Sequence, residues 1–192
     1  MTKIAVVIGS TRQGRQTDRL AKWVADEVSK IADVETLDLR DYPMPFYDEQ
    51  GSARYIPNRK PGPEVTKWLD TLKEFDGFTF VTPEYNRSMP GVLKNAIDVI
   101  GHEIDDKPVA LVGHGSSGGA QAIATLRMAL PGVGAVTLPQ ALFFTDRVGE
   151  AIDEAGVLKA ELQDNPYGPQ ASLQMQAAAL VAYAGALKSV RA

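Results

Sequence analysis

The chain has 192 residues, 44% apolar and 23% charged, proportions of an ordinary soluble globular protein and enough for one domain over residues 1–192. A net charge of −4 with no basic cluster leaves no electrostatic footprint for nucleic acid. The absence of cysteine excludes disulfides, dithiol chemistry and Cys-ligated clusters, so any redox work falls to a bound cofactor.

The N-terminus passes straight into a strand without a signal-peptide layout, and no apolar run approaches about 20 residues. A soluble, cytoplasmic protein with no membrane partner is the expectation. Five β-rich runs are predicted at Ile4–Ile8, Val34–Leu39, Gly77–Thr82, Val109–Val112 and, less sharply, Ala135–Phe144. "IAVVI" and "VALVG" do not alternate, as expected of strands covered on both faces. Helices are predicted between them at about Thr17–Ile31, Pro63–Phe75, Pro90–Gly101 and Gly119–Leu130, with a last one at Pro169–Val190. The apolar spacing of Leu20, Trp23, Val24, Val28 and Ile31 is that of one helical face, with Glu27 the polar member among them. Strand–helix alternation implies a parallel sheet with right-handed crossovers. Five units in under 200 residues fit an α/β, flavodoxin-like three-layer sandwich, a five-stranded parallel sheet in the order 2-1-3-4-5.

Two segments escape the pattern. Asp41 to Pro63 is too proline-rich for a helix, and Thr145 to Pro169 is a long link with room for a short one. Loops of this length are usually functional or interface-forming.

In a 2-1-3-4-5 sheet, ligands sit beyond the carboxyl ends of strands 1 and 3, where strand order reverses. The loop after Ile8 reads "GSTRQGR". Thr11 breaks the dinucleotide pattern G-x-G-x-x-G at its second glycine. Gly9 and Gly14 match the glycines of a P-loop, but Arg15 replaces its Lys and Gln16 the hydroxyl that would hold Mg²⁺. A monophosphate nest remains: loop N–H groups, the Ser10 and Thr11 hydroxyls, and further donors from Arg12, Arg15 or Thr17. The competing reading is a polar turn capped by Thr17 or Ser10.

After the third strand, Glu84–Ser88 forms a polar loop at the switch point. Its backbone N–H groups and Asn86 suit the rim of a flat heterocycle, and Tyr85 offers it a face. A helix start capped by Ser88 is the alternative. After the fourth strand, Gly115-Ser116-Ser117-Gly118-Gly119 matches the G-x-S-x-G nucleophile elbow. A triad of that type needs a histidine downstream of the serine, and His102 and His114 both precede it. The loop then serves as a glycine-rich turn bringing backbone amides to a ligand edge. "HEIDD" lacks the second histidine of a zinc helix, and Asp38, Asp41 and Asp48 lack calcium-loop spacing, so no metal site is expected. His114 reads first as a hydrogen-bonded loop histidine, with approach to a ligand as the alternative.

Together the three loops resemble the NADPH-dependent FMN reductase family of flavodoxin-like quinone, azo and chromate reductases. "GSTRQGR" follows the family's G-S-x-R-x-G-S/R, and "PEYNRSMPGVLKNAID" its P-E-Y-N-x-S-x-P-G-x-L-K-N-A-I-D. "GHGSSGGAQA" resembles the family's third, G-x-x-G-G-rich loop. The resemblance implies FMN, with Ser10, Arg12, Arg15 and the Thr11 amide at its phosphate. Gln16 and Thr17 stand where the family often has Ser and Asn. It also implies that Pro83, Glu84, Tyr85 and Asn86 frame the isoalloxazine, with Gly115, Ser116 and Ser117 at its pyrimidine edge. NADPH or NADH would give hydride to flavin N5, and quinones, azo compounds, free flavin or similar small acceptors would take it. No side chain need act as an acid or base, and homodimers or homotetramers are implied. The alternatives are a non-enzymatic flavodoxin-type electron carrier, for which the charge is modest and mixed, and a flavin-dependent sensor. For the Asp41–Pro63 loop, Tyr42, Met44, Phe46, Tyr47 and Tyr55 predict cover by a partner chain in a symmetric dimer, with the helix after the second loop near the partner's flavin. The alternative is that the loop folds over its own sheet.

Overall fold

The computed structural model describes residues 1–191. β1 (Lys3–Ile8), β2 (Asp33–Asp38), β3 (Gly77–Pro83), β4 (Pro108–His114) and β5 (Val136–Phe144) form one parallel sheet in the order β2-β1-β3-β4-β5. The helices are α1 (Thr17–Val28), α2 (Pro63–Lys73), α3 (Gly91–Asp98), α4 (Ala120–Ala129), α5 (Val148–Ala151), α6 (Ala160–Gln163) and α7 (Pro169–Arg191). Among the described residues, no helix is long and apolar enough to cross a membrane.

Side chains alternate between the two faces of a strand, so each central strand feeds two cores. Ala5, Val7, Phe78, Phe80, Val109 and Leu111 face α2, α3 and α4. Ile4, Val6, Ile8, Val81, Ala110 and Val112 face α1 and α7. That double burial is why β1, β3 and β4 are almost continuously apolar. Trp68 of α2 is fully buried on the first face and donates its indole N–H to the Ala96 carbonyl at 2.9 Å. Burial of a side chain this large contributes about 2–3 kcal/mol, and its polar atom is satisfied.

β5 is an edge strand carrying Pro139, and its register against β4 shifts between Val109 and Leu111. An edge tolerates a proline because one side of the strand needs no ladder donor. α1 ends at Val28, short of the predicted Ile31, which is exposed, while Ala32 takes the buried position leading into β2. The Thr145–Pro169 link holds two short helices, α5 and α6.

The Asp41–Pro63 loop covers its own sheet more than expected. Tyr42 is buried edge-on against Trp68, with centroids 5.0 Å apart, and Met44 and Tyr47 pack on the same core. Asn95 of α3 fastens the loop, accepting from the Tyr47 N–H and donating to the Pro45 carbonyl, both at 2.9 Å. Phe46 and Tyr55 remain 81% exposed. Three of the five apolar side chains therefore need no partner to leave water.

Candidate functional site

A cavity of about 610 Å³ opens at the carboxyl ends of β1, β3, β4 and β5, as a parallel sheet with a switch point provides. Its lining comes from four segments: Arg12 and Gln16, Pro83–Tyr85, His114–Ser116, and Thr145–Gly149.

The β1–α1 loop turns sharply at Gly14, whose φ of 64° favours glycine. The turn separates its two arginines. Arg15 is buried and folded back: Nη1 donates to Asp38 Oδ1 at 2.8 Å and to the Ser10 carbonyl, and Nη2 contacts Asp38 Oδ2. Burial raises the Asp38 carboxyl, but hydrogen bonds from Arg15 and the Arg40 N–H outweigh it and hold the group below the usual carboxylate range. The Arg12 guanidinium instead lies over the Tyr85 ring, 5.0 Å from its centroid. Among the described residues it has no carboxylate partner within salt-bridge distance.

Ser10 is fully buried, and its hydroxyl hydrogen-bonds the Tyr85 hydroxyl at 2.9 Å, joining the first loop to the second. Asn86 and Arg87 have φ of 51° and 63°, and Tyr85 and Ser88 exchange two backbone hydrogen bonds of 2.9 and 3.1 Å. This is a tight turn of the mirror-image type that asparagine tolerates well. Neither Ser88 nor Thr17 caps a helix: α3 starts after Pro90, and α1 after Gln16 without a side-chain cap bond.

Glu84 ties the second loop to the third. Its N–H donates to the His114 carbonyl at 2.9 Å, and its carboxylate accepts from the Gln121 N–H at 2.9 Å and the Ser117 hydroxyl at 3.2 Å. The carboxylate thus satisfies a free donor at the N-terminus of α4, where the helix dipole favours negative charge. The Ser117 hydroxyl meets a carboxylate and no imidazole. Gly119 has φ 77°, and a Cβ there would lie 2.6 Å from the Gly113 Cα and the His114 nitrogen. The glycines of this motif serve close backbone packing.

His114 bonds Thr17 Oγ1 through Nε2 at 2.9 Å. Burial, then the charge of Arg12, push its pKa down to about 4, so it is neutral near pH 7. Of the residues expected at the ligand, Arg12, Gln16, Pro83, Glu84, Tyr85, Gly115 and Ser116 line the cavity. Ser10, Arg15 and Thr17 lie behind that lining as its buried support, and Thr11, Asn86 and Ser117 are outside it. Sequence offers His114 at the ligand only as its second reading and does not single out Thr145–Gly149 as lining. The pointer to the latter is positional, because it follows the carboxyl end of a strand.

The cavity suits FMN by the atoms that line it. It offers an unpaired guanidinium at Arg12 beside the start of a helix, which suits a phosphate. Gln16 also lines the cavity, with its Oε1 buried against Gly149 and without a hydrogen-bond partner. The donor set fits the group.

The sequence profile of NADPH-dependent FMN reductases matches residues 2–149. An NAD(P)H-dependent FMN reductase of Schizosaccharomyces pombe is 31% identical over 184 residues, covering 85% of this chain and 92% of that one. An NADPH azoreductase of a Bacillus species is 35% identical over 142 residues, 72% of this chain and 74% of that one. Among solved structures, a flavoenzyme NAD(P)H:(acceptor) oxidoreductase of Paracoccus denitrificans superposes with a TM-score of 0.77 at 27% identity, covering 97% and 98% of the two chains. With its sheet order, its three loops and these relatives, the chain belongs to the NADPH-dependent FMN reductase family.

Proposed function

We propose that this chain, as one domain over residues 1–192, reduces small planar acceptors such as quinones, azo compounds or free flavin with NAD(P)H, and that it works in the cytoplasm. The observation that carries the reading is the cavity-lining Arg12, whose guanidinium is stacked on Tyr85 and free of carboxylates among the described residues. Bound FMN supplies the two-electron chemistry between donor and acceptor.

The chain's own residues hold and position that group. Arg12, with loop N–H groups and the Thr11 amide, meets the phosphate. Ser10 and Arg15 hold the loop in shape from behind, through Tyr85 and Asp38. Gln16 lines the path of the ribityl chain, and Thr17 fixes His114 beside it. Pro83, Glu84, Tyr85 and Asn86 frame the ring. Gly115 and Ser116 offer backbone donors to its pyrimidine edge, and Ser117 steadies that loop through Glu84. Preorganised donors of this kind stabilise added negative charge without reorganising. A neutral His114 leaves that role to the backbone.

The assembly is a homodimer or homotetramer with α3 near the partner's site. Supporting this, an apolar groove of about 510 Å³ between α3 and α4 is lined by Met89, Lys94, Thr125 and Met128, the last 74% exposed. Light scattering at micromolar concentration tests it, and a monomer mass with full activity overturns it.

The function is tested by the visible spectrum of the purified protein, or of protein titrated with FMN, before and after anaerobic NADPH. Uptake of one FMN per chain followed by rapid bleaching is expected. FMN should bind far more tightly than riboflavin, because each charge-assisted bond to the phosphate is worth about 1.5–3 kcal/mol. Equal affinities for the two would remove the phosphate assignment.

A further inference from the structure

The fourth wall of the cavity, Thr145–Gly149, has no part in the flavin reading above, and it carries a cation. It is built as a fixed wall. Val148, Ala151, Ile152 and Leu158 are buried in the core on the α1 face of the sheet. Gly149 sits so close to Gln16 that a Cβ would lie 3.0 Å from Oε1. Further along, Arg19 pairs with Glu154 at 3.0 Å, and the Lys22 ammonium donates to the Ala155 carbonyl. The segment is thus pinned to α1, whose first turn borders the same cavity.

Arg147 projects from this wall with its side chain 83% exposed. Its ion pair is with Glu150, at 3.2 Å and three residues along, itself 67% exposed. An exposed pair of this kind adds little stability and is readily exchanged for a better anion. Two arginines line the cavity, and of these Arg12 is given to the flavin phosphate in the function proposed above, which leaves Arg147. Asp146, beside Arg147, keeps the rim near neutral, so attraction there comes from direct guanidinium contact with an anion rather than from a field over the wall. A pyridine dinucleotide that lays its nicotinamide in the cavity must carry its phosphates out over a rim. The β5 rim offers a guanidinium fork that matches phosphate oxygens.

We propose that Arg147 anchors a phosphate of the nicotinamide dinucleotide and so sets co-substrate affinity. The inference rests on the flavin reading of the same cavity. Its ligand is either the pyrophosphate, common to both dinucleotides, or the 2′-phosphate of NADPH alone.

The test compares flavin-loaded wild type with Arg147→Ala and Arg147→Lys, using NADPH and NADH as substrates and NADP⁺ and NAD⁺ as inhibitors. KM for NADPH and the NADP⁺ inhibition constant should rise about 5- to 20-fold in Arg147→Ala, with partial recovery in Arg147→Lys. The FMN dissociation constant should stay unchanged. A matching rise for NADH and NAD⁺ supports the pyrophosphate, and none supports the 2′-phosphate. Unchanged constants for both dinucleotides overturn the proposal, as does weakened FMN binding, which would give Arg147 to the flavin. A wild type that NADPH does not bleach would instead overturn the flavin reading beneath it.

Discussion

The Arg15 guanidinium lies against the Asp38 carboxylate, Nη1 2.8 Å from Oδ1, and the same nitrogen donates to the Ser10 carbonyl. This pairing divides the work of the two loop arginines, since Arg15 fixes the loop while Arg12 faces the cavity. Arg12→Ala should weaken FMN about 10- to 100-fold with the fold intact, the loss of one charged phosphate contact. Arg15→Ala should instead destabilise the protein by about 2–3 kcal/mol, since it strands Asp38, whose side chain is 22% exposed and therefore partly screened. Fluorescence titration of FMN and urea unfolding of both variants separate the two effects. An Arg15→Ala protein of normal stability but poor FMN affinity would reverse the assignment.

Sequence patterning made the sheet legible because β1, β3 and β4 are buried on both faces and read as unbroken apolar runs. β5 was less sharp because an edge strand with Pro139 and a shifted register has no such demand. The loops were legible as ligand-holding because their glycines and hydroxyls are local signals. The partners that hold them were not. Arg15 meets Asp38 across 23 positions, and Glu84 meets Gln121 across 37, and no spacing rule encodes contacts between loops that only the sheet brings together. The Asp41–Pro63 loop was ambiguous for a related reason, since apolar content alone does not say that Asn95 will fasten part of the loop inward while Phe46 and Tyr55 stay exposed. Thr145–Gly149 is polar and aperiodic, so its place as a wall depends on where β5 ends.

Asn86 can act through its backbone conformation or its side chain, and two substitutions distinguish them. Its φ of 51° is readily taken by glycine and resisted by alanine. Asn86→Ala should cost about 1 kcal/mol in unfolding free energy, while Asn86→Gly should cost little of the turn. If the side chain meets the flavin rim, Asn86→Gly should still weaken FMN about threefold to tenfold, the value of one neutral hydrogen bond. An Asn86→Gly protein with wild-type FMN affinity would restrict Asn86 to the turn.

The Gly115–Gly119 loop should respond as a packing element rather than a nucleophile site. A Cβ at Gly119 meets backbone at 2.6 Å on residues 113 and 114 and sits at φ 77°, so the clash and the strained conformation add. Gly119→Ala should destabilise by about 3 kcal/mol or more, or prevent folding. Ser117→Ala loses a hydroxyl bond to Glu84 and should cost about 1 kcal/mol, with any background ester hydrolysis unchanged. Loss of a genuine esterase activity in Ser117→Ala would restore the hydrolase reading.

His114 should make the flavin-free protein sensitive to mild acid. Its folded-state pKa of about 4 lies below the ordinary 6.5, so as pH falls the unfolded chain takes up the proton first. The stabilising contribution is fully present above about pH 6.5 and is lost as pH falls toward 4. By pH 5, before most carboxylates titrate, the loss should reach about 2 kcal/mol. His102 works in the opposite sense: its hydrogen bond to Asp105 raises its pKa, so its contribution is present at low pH and lost as pH rises. The two are separated by difference. Urea unfolding of wild type and His114→Gln at pH 7.5, 6.5 and 5 should show the wild type losing more stability than the variant by about that amount. Gln can keep a hydrogen bond to Thr17 while removing the titration. Parallel profiles for the two proteins would mean that His114 takes up its proton as readily in the folded chain as in the unfolded one.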